Sequence, residues 1–266
     1  MGITQFKGSQ ATFNLASNFT GSLIPSLIGT GTTTPTAFNF LRGDGTWANS
    51  PDKPPSQFKQ FAWLHDAGTN TLASWNSSLG PGTFGTLQGR YNDNTGEYLS
   101  YTSSASIGGS AGWNSAFNLF QTQWKLIATM IIRTNNTADI TNTRLTVGLG
   151  SGDISASDNP ALHLMGFRYS TSSDGTAFWR TYTKDGTTLN VQVTTVPITI
   201  FTRYVLKIDA SNPASIKFYI NGVLTNTHTT NLPSPTQALG LTMLNTTLTT
   251  ASLYLMVNRF HLEYGV

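Results

Sequence analysis

The stretch RYVLKIDASNPASIKFYINGVLTNTH, residues 203–228, decides the fold. Tyr204, Leu206 and Ile208 alternate with Val205, Lys207 and Asp209, and Ile216, Phe218 and Ile220 alternate with Lys217 and Tyr219. A period of two sends successive side chains to opposite faces of an extended chain, so both runs are half-buried antiparallel strands. ASNPAS between them holds Pro213, which has no N–H to give a ladder and marks a turn. Asn221-Gly222 then closes a hairpin, because a type I′ turn needs positive φ at both central residues and Asn and Gly tolerate it.

The same grammar extends in both directions. KLIATMIIR (125–133) puts Leu126, Ala128, Met130 and Ile132 on one face. ALHLMGFRYS (161–170) and AFWRTYT (177–183) flank a turn at Asp174-Gly175, and Asp185-Gly186 starts a second. SLYLMVNRFHLEYGV (252–266) supplies a last strand. No segment sustains a 3.6-residue period, and Glu97 and Glu263 are the only glutamates, so helix is not expected. The expected class is all-β, an antiparallel sandwich or jelly roll. Phe178, Phe218, Trp124 and Tyr204 sit in alternating runs and are expected in its core.

Composition fits that class. Of 266 residues 38% are hydrophobic, a low share that suggests disorder, but only 10% are charged, and disordered chains are typically charged and poor in aromatics. At 11% aromatic the chain carries more ring area than disordered segments do. Thr and aromatics fill strands, and Gly, Asn and Ser fill turns. The net charge of +3 is spread singly, with no Lys/Arg run of the kind phosphate backbones require, so no nucleic-acid partner is expected. Cysteine is absent, which removes disulfides, thiolate metal sites and thiol nucleophiles. No apolar run reaches the ~18 residues of a membrane span, and the first residues show no leader pattern. Membrane insertion and signal-directed secretion are therefore not expected.

Residues 1–55 differ from the rest of the chain. They are rich in Gly, Thr, Ser and Pro, Pro25 and Pro35 oppose a helix, and SPDKPP (50–55) reads as a stiff extended linker. So few apolar residues cannot build a core. The segment is expected to be an extended arm that gains order on other chains, with residues 56–266 forming the β domain.

Two stretches resemble known families. FLRGDGTWA (Phe40–Ala48), preceded by GTGTTTPTAFN, resembles a short connector or trimerising motif of phage tail fibres and other trimeric phage appendages. That resemblance implies a structural protein of the virion surface, assembled in the host cytoplasm as capsid decoration or fibre. It implies a homo-oligomer, a trimer first of all, joined to capsid or tail proteins, with Phe40, Leu41, Arg42 and Trp47 at the assembly interface. The segment Arg203–Pro233 is similar to the strand-turn-strand signature of concanavalin A-like jelly rolls, a fold that implies architecture more than function.

Candidate sites are few. Arg42-Gly43-Asp44 matches a three-residue integrin ligand, a match common by chance, and its glycines serve a tight turn. Glycoside hydrolysis needs two carboxylates roughly 5–10 Å apart, and jelly-roll glucanases carry theirs on an ExDxxE strand. No such strand occurs here. Asp93 with Glu97, and Asp153 with Asp158, fall in turn-like contexts, so an enzyme is not expected and a polysaccharide hydrolase ranks last. SGDISASDNP offers Asp153, Asp158 and Asn159 as oxygen ligands of the kind Ca²⁺ takes, but these are also ordinary turn formers, and no cofactor or metal is expected. His65, His163, His228 and His261 stand apart from one another. Trp113, in the Gly/Ser-rich IGGSAGWNSAF, and Tyr182 are the candidates for stacking on host surface glycans, as in an adhesin or fibre tip.

Overall fold

The computed structural model describes residues 39–41, 47–49, 65–66, 83–115, 118, 120–135, 137–175 and 177–263. The chain divides into two compact units, Met1–Ser56 and Gln57–Val266. In the first, β1 (Asn39–Leu41) pairs antiparallel with β2 (Trp47–Asn49), setting Phe40 opposite Ala48 and Leu41 opposite Trp47. Arg42, the fourth residue expected at an assembly interface, lies outside the described residues, as do Gly43 and Asp44 of the RGD triplet.

The described regular structure of the second unit is almost all strand: β3 (His65–Asp66), β4 (Thr83–Phe84), β5 (Thr86–Asp93), β6 (Gly96–Thr102), β7 (Ser110–Asn114), β8 (Leu126–Arg133), β9 (Thr143–Gly150), β10 (His163–Ser170), β11 (Phe178–Asp185), β12 (Leu189–Pro197), β13 (Arg203–Ala210), β14 (Ile216–Ile220), β15 (Val223–His228), β16 (Gly240–Thr247) and β17 (Tyr254–Glu263). The helical elements among the described residues are two short 3₁₀ turns, Thr122–Trp124 and Thr137–Ile140.

These strands form two antiparallel sheets. One runs β12-β11-β10-β9-β16-β7-β4; the other runs β15-β14-β13-β8-β17-β6-β5, with β3 added beside β17. The Asn221-Gly222 hairpin between β14 and β15 has φ of 51° and 84°, as its type I′ geometry requires. β8 and β13 pair along their whole length, so Ala128, Met130 and Ile132 face inward beside Ile208, Leu206 and Tyr204.

The core lies between the sheets and is rich in rings. Trp179 of β11 meets Tyr204 of β13 edge-on at 5.3 Å, and Phe167 of β10 meets Phe218 of β14 edge-on at 5.4 Å. Such T-shaped contacts place positive ring edges on negative ring faces. Phe178 is not in this core. It begins β11 opposite Pro197, just before a register shift, and remains 38% exposed. Trp124, in a 3₁₀ turn, is half-buried.

Candidate functional site

The seven-stranded sheet is buried on both faces along its central strands β9, β10 and β16. Its inner residues, among them Leu145, Val147, Met165 and Phe167, belong to the core. Its outer face carries a second apolar cluster of Ile154, Leu164 and Tyr182, with Leu162, Leu189 and Val191 packed against it. The segment 151–162 after β9 forms this cover. Gly166 makes room for the Tyr182 ring beneath it: a Cβ there would sit 2.8 Å from the Val147 carbonyl oxygen and 3.1 Å from that ring.

Loop carboxylates clamp outward-pointing arginines over the same face. Arg144 of β9 donates from Nε and Nη2 to the two oxygens of Asp158, at 2.8 and 3.3 Å, and from Nη1 to the Ser155 carbonyl. Arg168 of β10 makes a second fork to Asp174 and also donates to the Asp158 carbonyl. Lys184 donates to the Asn159 side-chain oxygen at 2.7 Å. Burial by itself would raise the Asp158 pKa, but Arg144 and the hydroxyls of Ser170, Ser172 and Ser173 outweigh it and hold the carboxyl well below the usual range. The Asp158 and Asn159 oxygens offered to a calcium ion in the sequence thus face side-chain cations instead.

A pocket of about 320 Å³ opens beside this network. Ile107, Gly108 and Ser110 form one wall, Asp153, Ser155 and Ala156 another, with Arg144 and Thr246–Leu248 closing it. Its size is at the small end of ligand pockets. Asp153 Oδ1 accepts from the Ser155 N–H and hydroxyl at 2.9 and 2.6 Å, which fixes the carboxylate at the wall. Its Oδ2 makes no hydrogen bond among the described residues. Ser110 and Thr246 share a hydroxyl contact of 2.8 Å. One guanidinium, one carboxylate and several hydroxyls thus face a space that Ile107, 74% exposed, rims. This lining suits a small polyhydroxylated ligand, whose hydroxyls both donate and accept.

Neither residue expected to stack on a glycan is open to one. Trp113 lies on β7, paired with Thr83 and Met243, and is fully buried in the core. The Gly/Ser-rich context that reads as loop is a strand that must approach its neighbour closely: a Cβ at Gly112 would sit 2.1 Å from the Met243 carbonyl oxygen. Tyr182 is 1% exposed beneath the 151–162 cover, with the Arg168 guanidinium 5.5 Å from its ring centre. Sequence reasoning singles out Asp153 and Asp158, but not Arg144, Ser110 or Thr246, which only the sheet order brings together.

No family model matches the chain, and no curated relative does. Solved structures do. A protein of unknown function, SO2946, from Shewanella oneidensis MR-1 superposes with a TM-score of 0.57 at 11% identity, over 78% of this chain and 87% of that one. A Bacillus licheniformis β-glucanase gives 0.51 at 14% identity, over 77% and 98%. The apo Crh5 transglycosylase gives 0.52 at 13% identity, over 77% and 85%.

The second unit is a concanavalin A-like jelly roll. At these identities the likeness establishes fold alone. It also corrects the expectation that the chain is not an enzyme. That expectation rested on the missing ExDxxE strand, yet a glucanase and a transglycosylase share this sandwich. A motif missing from one strand excludes no chemistry elsewhere on such a fold.

Proposed function

We propose that the protein is a surface component of a phage particle, attached as a homotrimer through residues 1–55, whose jelly roll engages polysaccharide of the host surface in the Arg144–Asp153 pocket. One observation carries the binding half: a pocket of saccharide size lined by a fixed guanidinium, a fixed carboxylate and hydroxyls, on a sandwich similar to two enzymes of carbohydrate chemistry. The attachment half is supported by the FLRGDGTWA segment, whose Phe40, Leu41 and Trp47 lie on one strand pair, with Leu41 opposite Trp47.

The test uses the full chain. Light scattering at micromolar concentration is expected to give three times the chain mass, and a monomer counts against the arm's role. A glycan array is expected to show a restricted set of bound glycans. Asp153→Asn keeps the Oδ1 contacts to Ser155 and removes the charge, so it should weaken those signals by about ten-fold while leaving the fold intact. Unchanged signals in Asp153→Asn, or no bound glycan, would remove the pocket from the proposal. Release of reducing ends from a bound polysaccharide would extend binding to cleavage.

A further inference from the structure

The outer face of the other sheet holds a different constellation. Arg133, at the end of β8, is almost fully buried, and its guanidinium carbon lies 5.2 Å from the Tyr91 ring centre, 6.0 Å from Tyr98 and 5.7 Å from Phe201. Asp93 pairs with it at 3.1 Å. Arg203, the first residue of β13, stands directly opposite Arg133 in the ladder, so two like charges face each other across one strand gap. Arg203 makes no ion pair among the described residues, and its Nε is buried with no hydrogen-bond partner. Two guanidiniums thus stand side by side, and the one carboxylate here pairs with Arg133.

Phe201 beside them is in an uncommon state. Its φ is +54°, in the left-handed region that bulky residues avoid, and it is 58% exposed. The surrounding turn is tied down to hold it there. Thr134 Oγ1 donates to the Thr199 carbonyl at 2.6 Å, the Thr199 N–H donates to the Tyr204 hydroxyl at 2.7 Å, and Thr202 Oγ1 donates to the Ile200 carbonyl at 3.0 Å. Glycine would adopt this φ without strain. The chain instead accepts strain to set a phenyl ring largely in solvent, where packing gains little from it. Strain of this kind, over-determined by its surroundings, marks functional positions. Tyr91, 38% exposed, offers a second open ring on the same guanidinium.

We infer that Phe201, Tyr91 and Arg203 form a recognition site for a carboxylated sugar unit in an acidic polysaccharide. The open rings take the apolar face of the sugar, and Arg203 takes its carboxylate in the fork geometry guanidinium prefers. Arg133, already neutralised by Asp93, serves as the rigid floor against which the rings are set. Among the described residues Arg203 is the cation beside these rings that makes no ion pair, and one such charge matches one carboxylate per sugar unit. A polyphosphate backbone would ask for a stripe of cations instead. This site lies on the opposite sheet from the Arg144–Asp153 pocket and does not depend on it.

Calorimetric titration of the full chain tests the assignment, with oligogalacturonate, an oligosaccharide of alternating glucuronate and N-acetylglucosamine, and the carboxyl-reduced form of each. At least one uronate probe is expected to bind, and its reduced form at least about ten-fold more weakly. Arg203→Gln and Phe201→Gly should each weaken it by a similar factor. Phe201→Gly should do so without lowering the melting temperature, which a merely structural ring would not allow. Asp153→Asn should leave uronate binding unchanged, so failure of the pocket and failure of this site are separable. Equal affinity for reduced and unreduced probes, no binding of either uronate, or full affinity in both variants overturns the assignment.

Discussion

Arg168 and Asp174, six residues apart across the β10–β11 turn, form a buried ion pair with contacts of 2.6 and 3.1 Å, their side chains 5% and 4% exposed. Asp174 also accepts the Ser170 N–H at 3.0 Å, and its carbonyl accepts from Arg180 at 2.8 Å. One carboxylate therefore closes the turn and neutralises an outward arginine under the 151–162 cover. Removing one member of a buried pair leaves the other charge uncompensated, at a cost of about 3–5 kcal/mol. Asp174→Ala is expected to lower the stability of the jelly roll by that amount in urea unfolding. A loss below about 1 kcal/mol would contradict the pair's role.

His228 gives the sandwich a defined acid response. It is fully buried, with Nε2 2.9 Å from Thr181 Oγ1 and Nδ1 3.0 Å from Thr183 Oγ1, so β15 of one sheet is fastened to β11 of the other. Burial pushes its pKa down to about 4. The unfolded chain binds the proton near pH 6.5 and the folded chain does not until about pH 4. Stability from this group is therefore complete above pH 6.5, declines between 6.5 and 4, and is gone below. The decline amounts to roughly 3 kcal/mol. Urea midpoints measured across that window should fall with pH, and His228→Asn should flatten the slope. An unchanged slope in the variant would place the proton elsewhere.

The strands that are legible in the sequence are those with one face in water. β13 and β14 are of this kind, so Leu206 and Ile208 alternate visibly with Lys207 and Asp209, and the hairpin at Asn221-Gly222 is written in two residues. β16 is buried at every position, so its alternation is erased and its residues carry no strand signal. β7 reads as a loop because its glycine, forced by the approach of Met243, mimics loop composition. Of the pocket, only Asp153 stands out in the sequence. Ser110, Arg144 and Thr246 meet only because β16 pairs with both β7 and β9, and no local spacing encodes that order.

Trp113 separates the two accounts of β7. As a loop residue it would be dispensable to the fold and essential to glycan stacking. As a fully buried strand residue it is the reverse. Trp113→Ala is expected to cost about 3–5 kcal/mol, the usual loss for truncating a large buried ring. Any fall in glycan signal should then track the unfolded fraction in the same buffer. A variant with native stability and abolished binding would restore the loop account.

Tyr182 leads to a prediction of opposite sign. Its hydroxyl is buried facing Thr146 across the sheet, yet neither hydroxyl has a hydrogen-bond partner of good geometry. Burial also pushes the phenol pKa upward, against the lowering influence of the Arg168 charge. An unpartnered buried hydroxyl costs about 1–3 kcal/mol relative to an apolar group of the same shape. Tyr182→Phe keeps the ring over Gly166 and removes only that oxygen. It is therefore expected to leave stability unchanged or raise it by about 1 kcal/mol, read from urea midpoints at neutral pH. Thr146→Val, which removes the facing hydroxyl, should add a gain of similar sign. A loss above about 1 kcal/mol in Tyr182→Phe would mean that the phenol is satisfied from the pocket side, by water held near Arg144, and the outer face of the seven-stranded sheet would then be wetter than its packing implies.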